Sequence, residues 1–469
     1  MNADGGAGVK DVVNNSVKVC SGTVFCAYRG EHKDGVEYIK DAADRGEIIV
    51  CERAPEFECK YVTVPDAKAA YAVMCANIND NPQKKLNLFA VTGTNGKTTT
   101  TSMLYHIIKT LTGEKSAVLI GGVKNIVCGD EYKASQTTPD PKELYRYLAE
   151  GVSKGARFGV IEASSHALDY KKLVPCGFTV GAMTNLTEDH LDYHKTLDNY
   201  FKSKKQLIPL CGKFVSNGDD VYTKTINCPH FSLYSGDFTA KIKRLDKDGA
   251  EFVYKGGKTA DCKISVCGKF NVYNALTALC MAELAGFDID VAAKALSTYK
   301  AAAGRFEKYE LNNGASVIID YAHTPDALEN ALISCRQLCK GKLICVFGCG
   351  GDRDKNKRHI MGAVASRLAD LTVITADNSR SENTADIIKD ILKGVDKASK
   401  YTVIENRREA IIYALSAAKN GDTVLLAGKG HEDYEIDKYG SHPFSEARII
   451  KEFTGGGYRN GYNDSTNSG

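Results

Sequence analysis

The sequence predicts an α/β protein of three domains whose sheets are largely parallel. Three observations predict it. Short apolar runs at 88–91, 158–161, 317–319, 342–347, 371–374 and 423–426 each lead through a Gly-rich or polar loop into a helical pattern, the alternation that builds parallel sheets. A glycine-rich loop with a lysine stands between the first of these runs and its helix. The character of the chain also changes twice, at the polar stretch 79–85 (NDNPQKK) and at Ala301-Ala302-Ala303-Gly304-Arg305, and 469 residues are too many for one ordinary domain.

These breaks give a small α/β unit at 1–86, a central unit with the glycine-rich loop at 87–304, and a further strand–loop–helix series at 305–454. The tail at 455–469 (GGGYRNGYNDSTNSG) has no apolar face to bury and is expected to be disordered. No internal repeat is present.

Composition narrows the function classes. Hydrophobic residues at 43% and charged residues at 25% are an ordinary soluble balance. Lys plus Arg (61) nearly cancels Asp plus Glu (58), and a net charge of +3 makes no electrostatic case for nucleic acid or a membrane surface as partner. The start, MNADGGAGVK, lacks the basic and apolar regions of a signal peptide, and no apolar run approaches a membrane span. None of the 16 cysteines forms Cys-x-x-Cys, and most lie in apolar stretches. They read as small buried hydrophobes in a reducing compartment, so a cytoplasmic protein is expected; a monomer acting on small molecules is a separate expectation that the cysteines do not decide.

Val91-Thr92-Gly93-Thr94-Asn95-Gly96-Lys97-Thr98-Thr99 has the context of a phosphate loop, between a buried strand and a helix. Gly93 and Gly96 let the backbone approach phosphate, Lys97 faces the outer phosphates, and the Thr98 hydroxyl can ligate Mg²⁺. ATP is the expected nucleotide. Glu162 ends an apolar strand, where a carboxylate can hold Mg²⁺ near that loop. His190 and His194 are four apart, but no Glu between them and no third ligand supports zinc. Lys204 lies in Tyr200-Phe201-Lys202-Ser203-Lys204-Lys205, which by composition alone reads as a solvated helix face.

The run Gly93 to Thr99 resembles the phosphate loop of the Mur ligase family. Thr137-Thr138-Pro139, Glu162-Ala163-Ser164-Ser165-His166, Asp189-His190-Leu191-Asp192-Tyr193-His194, Asn271 and Asn274, Gly304-Arg305, Asp320-Tyr321-Ala322-His323, Gly351-Asp352-Arg353-Asp354 and Gly428-Lys429-Gly430-His431-Glu432 follow in the family's order, over about 16–450. The set is most similar to the tripeptide-synthetase (MurE-type) branch. The resemblance implies a UDP-binding first domain, a central ATP-binding domain and a Rossmann-like third domain. It implies ATP-driven amide formation through an acyl-phosphate of UDP-N-acetylmuramoyl-dipeptide, in the synthesis of peptidoglycan precursors.

By the same resemblance, Lys97, Glu162, His190 and Lys204 carry the chemistry. Thr98, Glu162, His190 and a CO₂-modified (carbamylated) Lys204 surround Mg²⁺, while His194 is structural. Gly93, Thr94, Asn95, Gly96, Lys97, Thr98, Thr99, Asn271, Asn274, Arg305, Asp320 and His323 meet ATP, with Asn271 and Asn274 near its base. Ser16, Thr137, Thr138, Ser164 and Lys172 meet the nucleotide-linked dipeptide. Lys172 stands where an arginine is usual, and Asn15-Ser16-Val17 where Asp-Ser-Arg is usual.

Asp377-Asn378-Ser379-Arg380 resembles the Asp-Asn-Pro-Arg motif of enzymes that add meso-diaminopimelate. Arg380 and Asn378 would meet the substrate's extra carboxylate, Arg358 its other carboxylate, and Gly428 and Glu432 its distal ammonium. Other readings are a diverged paralogue or a folylpolyglutamate-type ligase acting on another carboxylate, lysine as the added amino acid, and an idle ATP-binding scaffold.

Overall fold

The computed structural model describes residues 9–30, 33–45, 48–246, 248–455 and, as backbone, 459–460. Three sheets follow one another along the chain, with a two-stranded hairpin (Tyr434–Asp437 and Gly440–Pro443) projecting beside the third.

The first sheet has four parallel strands in sequence order, Asp11–Val13, Thr23–Cys26, Ile48–Cys51 and Tyr61–Thr63. The helix Ala67–Ile78 follows it and ends just before the polar stretch. This unit is pinned to the next by Tyr71, whose hydroxyl donates to Asp140 Oδ1 at 2.8 Å, and by Asn14, whose amide donates to Asp140 Oδ2 at 3.3 Å.

The second sheet has eleven strands, and its parallel core is the part that positions the site. Asn87–Thr92 lies between Phe158–Glu162 and Phe178–Met183, with Ala117–Ile120 and Cys211–Asn217 outside them. Such strands are buried on both faces and so read as continuous apolar runs. Antiparallel strands extend the sheet at both edges (Lys124–Val127 and Asp130–Lys133; Gly249–Lys255 and Thr259–Ile264). These are exposed on one face and alternate, a weaker signal than the central runs.

The third sheet runs Tyr401–Val403, Leu371–Ile374, Leu343–Phe347, Thr423–Ala427, Ser316–Asp320, Glu307–Glu310 and Arg459–Asn460, parallel except at its last two pairings. In the tail expected to be disordered, Arg459–Asn460 thus pair with Glu307–Glu310 as backbone, while 456–458 and 461–469 lie outside the described residues. Gly304 takes a left-handed φ of 65° where the chain crosses into this unit, and a Cβ there would collide with the backbone of Gly430 and His431. Buried Arg407 donates to Glu446 Oε1 and to the carbonyls of Ala376 and Ala427, tying the last helix (Glu446–Phe453) to the ends of two strands.

All 16 cysteines are free, and all but five are buried. No described helix is long and apolar enough to cross a membrane.

Candidate active site

The loops that follow the three central strands of the second sheet converge at their carboxyl ends, where open α/β sheets bind ligands. Gly93 (φ 141°) and Gly96 (φ 85°) turn the chain from Asn87–Thr92 into the helix Lys97–Thr112. Side chains are barred at both glycines: a Cβ on Gly93 would strike the Thr184 hydroxyl, and one on Gly96 the Asn274 amide oxygen. Asn185 Oδ1 accepts the Asn95 N–H at 2.8 Å, and Thr94 donates to Thr187 O at 3.1 Å, so the strand behind holds the loop in shape. Thr99 is buried in the first turn of the helix.

Parallel register places Glu162 beside Val91, at the base of the loop. Glu162 is 1% exposed and accepts from the Thr98 hydroxyl (2.9 Å) and the Gly122 N–H (3.0 Å). Burial pushes its carboxyl up, while Arg305, the Gly122 N–H, Lys97 and Thr98 pull it down. Arg305 arrives from beyond Gly304, donates to Thr98 Oγ1 at 3.1 Å, and stacks over the Tyr321 ring. Its Nε is buried without a hydrogen-bond partner, a donor left over for an anion.

Two lysines meet at one carbonyl. Lys97 Nζ donates to Gly93 O (2.9 Å) and Thr94 O (2.8 Å), and Lys204 Nζ donates to the same Gly93 O at 2.8 Å. Lys204 is 1% exposed, on the helix Leu197–Lys205. Burial first and Lys97 second push its ammonium well below the ordinary lysine range, and Asp189 opposes them. The neighbouring lysines 202 and 205 face outward, so the cluster is a solvated face with one lysine turned in.

His190 takes a left-handed φ of 53° and its ring stands 3.4 Å from Asp189. Asp189 was passed over as a site residue although it begins the Asp-His-Leu-Asp run. It is where the two units meet, 3.8 Å from His323 Nε2, and burial alone would raise its carboxyl. His190, His323, Lys357 and Lys97 together hold it below the usual range. His194, by contrast, is buried against Ser165 (2.9 Å) and Asp169 (3.6 Å), which fits a structural residue. Among the described residues no three His, Cys, Asp or Glu side chains gather as metal ligands. Mg²⁺ takes one or two protein oxygens and completes its shell with phosphate and water, so Thr98 and Glu162 suit it.

Three expectations are redirected here. Asn271 and Asn274 are buried, and their amides bond to Cys267 O, to each other and toward Thr100, so they buttress Gly96 from below rather than offering edges to a base. Asp320, raised to about 6 by burial, accepts from the Phe306 and Ala322 N–H groups and so fixes the turn that aims Arg305. Arg358 is 1% exposed, bidentate on Glu382 (2.9 and 3.0 Å), and bonded also to Asp390 (3.1 Å) and Gly350 O (3.3 Å), so both of its terminal nitrogens are committed within the protein and only its buried Nε has no partner.

On the first-unit side, Thr138 Oγ1 donates to Glu162 O (2.6 Å) and accepts the Ser164 N–H (3.2 Å), and Lys172 Nζ donates to Thr138 O (3.1 Å) and Gln136 Oε1 (2.8 Å). Thr137, Thr138, Ser164 and Lys172 are thus brought together beside Glu162. Ser16 is buried at the turn Ser16–Lys18, two residues beyond Asn14, which bonds to Asp140.

On the third sheet, Arg380 takes φ 51° and donates to Gly351 O at 2.8 Å, and Glu382 is left to Arg358 and Lys355. Arg353 is also near: a Cβ on Gly350 would stand 2.9 Å from Arg380 Nη1 and 3.9 Å from Arg353 Cγ. Asp377, Asn378, Gly428 and Glu432 line the adjoining floor, with Asn378 donating to Glu432 at 2.8 Å and a Cβ on Gly428 meeting Asp377 at 2.6 Å. Asn95 donates to Asp326 at 2.9 Å and Lys133 to Asp433 at 3.0 Å, so the second and third units touch at both places.

Comparison with known proteins agrees with this geometry. Residues 91–282 match the Mur ligase middle domain, and residues 304–430 match the Mur ligase glutamate ligase domain. The chain is 40% identical to the UDP-N-acetylmuramoyl-L-alanyl-D-glutamate–2,6-diaminopimelate ligase 1 of Clostridium acetobutylicum, over 94% of this chain and 93% of that protein. It is 39% identical to the corresponding ligase of Aquifex aeolicus, over 96% and 94%. A solved structure of a ligase with that same description superposes with a TM-score of 0.67 at 28% identity, covering 95% of this chain and 94% of the other. The ADP complex of MurF ligase from Thermotoga maritima shares the fold, with a TM-score of 0.61 at 20% identity over 96% and 98%. With both Mur ligase domains matched in order and relatives at about 40% identity along almost its whole length, this chain belongs to the Mur ligase family.

Proposed function

We propose that the protein joins meso-2,6-diaminopimelate to UDP-N-acetylmuramoyl-L-alanyl-D-glutamate, splitting ATP to ADP and phosphate. The observation that carries the reading is the shared position of Thr98, Glu162, Lys97 and Lys204 around Gly93, next to the Thr137–Thr138–Ser164–Lys172 group. The relatives named for this reaction support it.

The acyl acceptor of phosphate is an anion, and so is ATP. Bound Mg²⁺ would supply the positive charge that lets them meet, held by Thr98, Glu162 and, beyond them, His190. Lys97 and Arg305 supply fixed cations on the two sides of the same space. Lys204, whose ammonium burial and Lys97 push well below the ordinary lysine range, loses its proton more readily and is then poised to add to CO₂: its nitrogen lone pair bonds the carbon and a proton departs. The resulting carbamate places an anion beside the Lys97 ammonium, which attracts it. The first unit (1–86) holds the uridine nucleotide, with Ser16 at its edge. Cytoplasmic location and a monomeric state complete the reading.

The amino-acid pocket is the floor formed by Asp377, Asn378, Arg380, Gly428 and Glu432. Arg380 and Arg353 are the guanidinium groups open to carboxylates, in place of Arg358. Glu432, whose carboxyl burial raises, awaits the distal ammonium.

Two experiments test this. Mixing the protein with ATP, UDP-N-acetylmuramoyl-L-alanyl-D-glutamate and diaminopimelate is expected to release phosphate and ADP in step with tripeptide; AMP and pyrophosphate would defeat it. Arg380→Ala is expected to lose the preference for diaminopimelate over L-lysine, about 2–5 kcal/mol for a charge left buried and unpaired. Competition between the two amino acids reads this directly. A variant that still prefers diaminopimelate as strongly as the parent would remove Arg380 from selection.

A further inference from the structure

Lys429 is fully buried, carries a charge, and touches neither the phosphate loop nor the acyl-donor side. Its ammonium donates to Asn378 Oδ1 at 2.8 Å and to Tyr434 O at 3.0 Å, and lies 3.7 Å from Glu432 and 3.9 Å from Asp377. Asn378 Oδ1 receives a second donor, the Ile436 N–H, at 2.9 Å. Both groups can only donate. The amide of Asn378 therefore has one orientation, because the flipped form would set its NH₂ against an ammonium and an N–H. In that orientation Asn378 Nδ2 donates to Glu432 Oε2 at 2.8 Å. Glu432 Oε1 remains, accepting among the described residues a long bond from the Tyr321 hydroxyl at 3.5 Å.

We propose that Lys429 is the positioning residue of the amino-acid pocket: it orients the Asn378 amide so that Glu432 presents one oxygen to the amine end of the incoming substrate. This rests on the reading of 377–432 as the amino-acid pocket. It assigns Asn378 to holding Glu432, where the sequence suggested a contact to the substrate's carboxylate. The device also explains how two buried acids, Asp377 and Glu432, coexist: Lys429 stands between them, with Arg407 on the far side of Asp377.

The test is Lys429→Met in the full chain, which keeps the volume and removes the charge and both hydrogen bonds. KM for diaminopimelate is expected to rise tenfold or more, with KM for ATP and for the dipeptide nucleotide within twofold of the parent. The acid limb of the amino-acid KM profile is expected to move to higher pH, since Glu432 would then face Asp377, Tyr321 and Tyr434 with the Asn378 amide and Arg380 left to offset them. An unchanged amino-acid KM and pH profile would overturn the proposal, as would an equal rise in all three KM values. A parent protein that does not use diaminopimelate would instead defeat the functional reading itself. Should the variant fail to fold, a crystal of the parent soaked with diaminopimelate decides. Lys429 still on Asn378 Oδ1 and the distal ammonium on Glu432 supports the assignment; Lys429 turned onto the substrate overturns it.

Discussion

Glu162→Ala is expected to lower turnover by on the order of 10³-fold, the largest effect of any single replacement in the site. Glu162 is a buried carboxylate at the base of the phosphate loop, joined to Thr98 on one side and to the Gly122 N–H on the other. Removing it leaves the Thr98 hydroxyl and Arg305 without their acid and takes away an anionic oxygen from the place where Mg²⁺ would sit. Glu162→Gln separates charge from shape: it keeps the volume and one acceptor oxygen for the Gly122 N–H, turns the second contact into an N–H that donates to the Thr98 hydroxyl, and should lose nearly as much. Phosphate release under saturating substrates measures both. A Glu162→Ala protein with a tenth or more of the parent rate would show that the metal is held elsewhere.

Lys204→Ala is expected to be nearly inactive and to regain part of its rate with formate or acetate, small anions that can occupy the place of a carbamate. The parent should likewise slow when CO₂ and bicarbonate are stripped from the buffer, and recover when bicarbonate is returned. An ordinary ammonium in a solvated cluster would show neither response. Lys204 instead is buried and shares the Gly93 carbonyl with Lys97, where two like charges disfavour each other and loss of a proton is favoured. Near-normal activity of Lys204→Ala would end the argument.

The features legible in the sequence are those in which a local pattern is itself the cause. The phosphate loop follows from glycines at fixed spacing between a buried strand and a helix. Glu162 follows from the end of an apolar run, and the parallel core follows from strands buried on both faces. Partners far apart in sequence were not legible. Arg358 looked like a substrate residue because nothing nearby reveals Glu382 and Asp390, 24 and 32 residues further on, which occupy its guanidinium. Asn271 and Asn274 looked free for the same reason. The inward turn of Lys204 could be taken from resemblance but not from its lysine-rich neighbours. Asp189 gained its place only when the third unit brought His323 against it.

The groups around Gly93 stand on the second sheet and the pocket at 377–432 stands on the third, joined through Gly304. Choice of amine and activation of the acyl group are therefore separate inheritances. On the proposed reading of 377–432, substitutions among 353, 378, 380, 429 and 432 retune which amino acid enters without disturbing Lys97, Glu162 or Lys204. The seam sets its own condition on any exchange of the third unit between relatives. Because Gly304 is packed against the backbone of Gly430 and His431, the loop that follows Gly428 has to travel with the glycine it was fitted to.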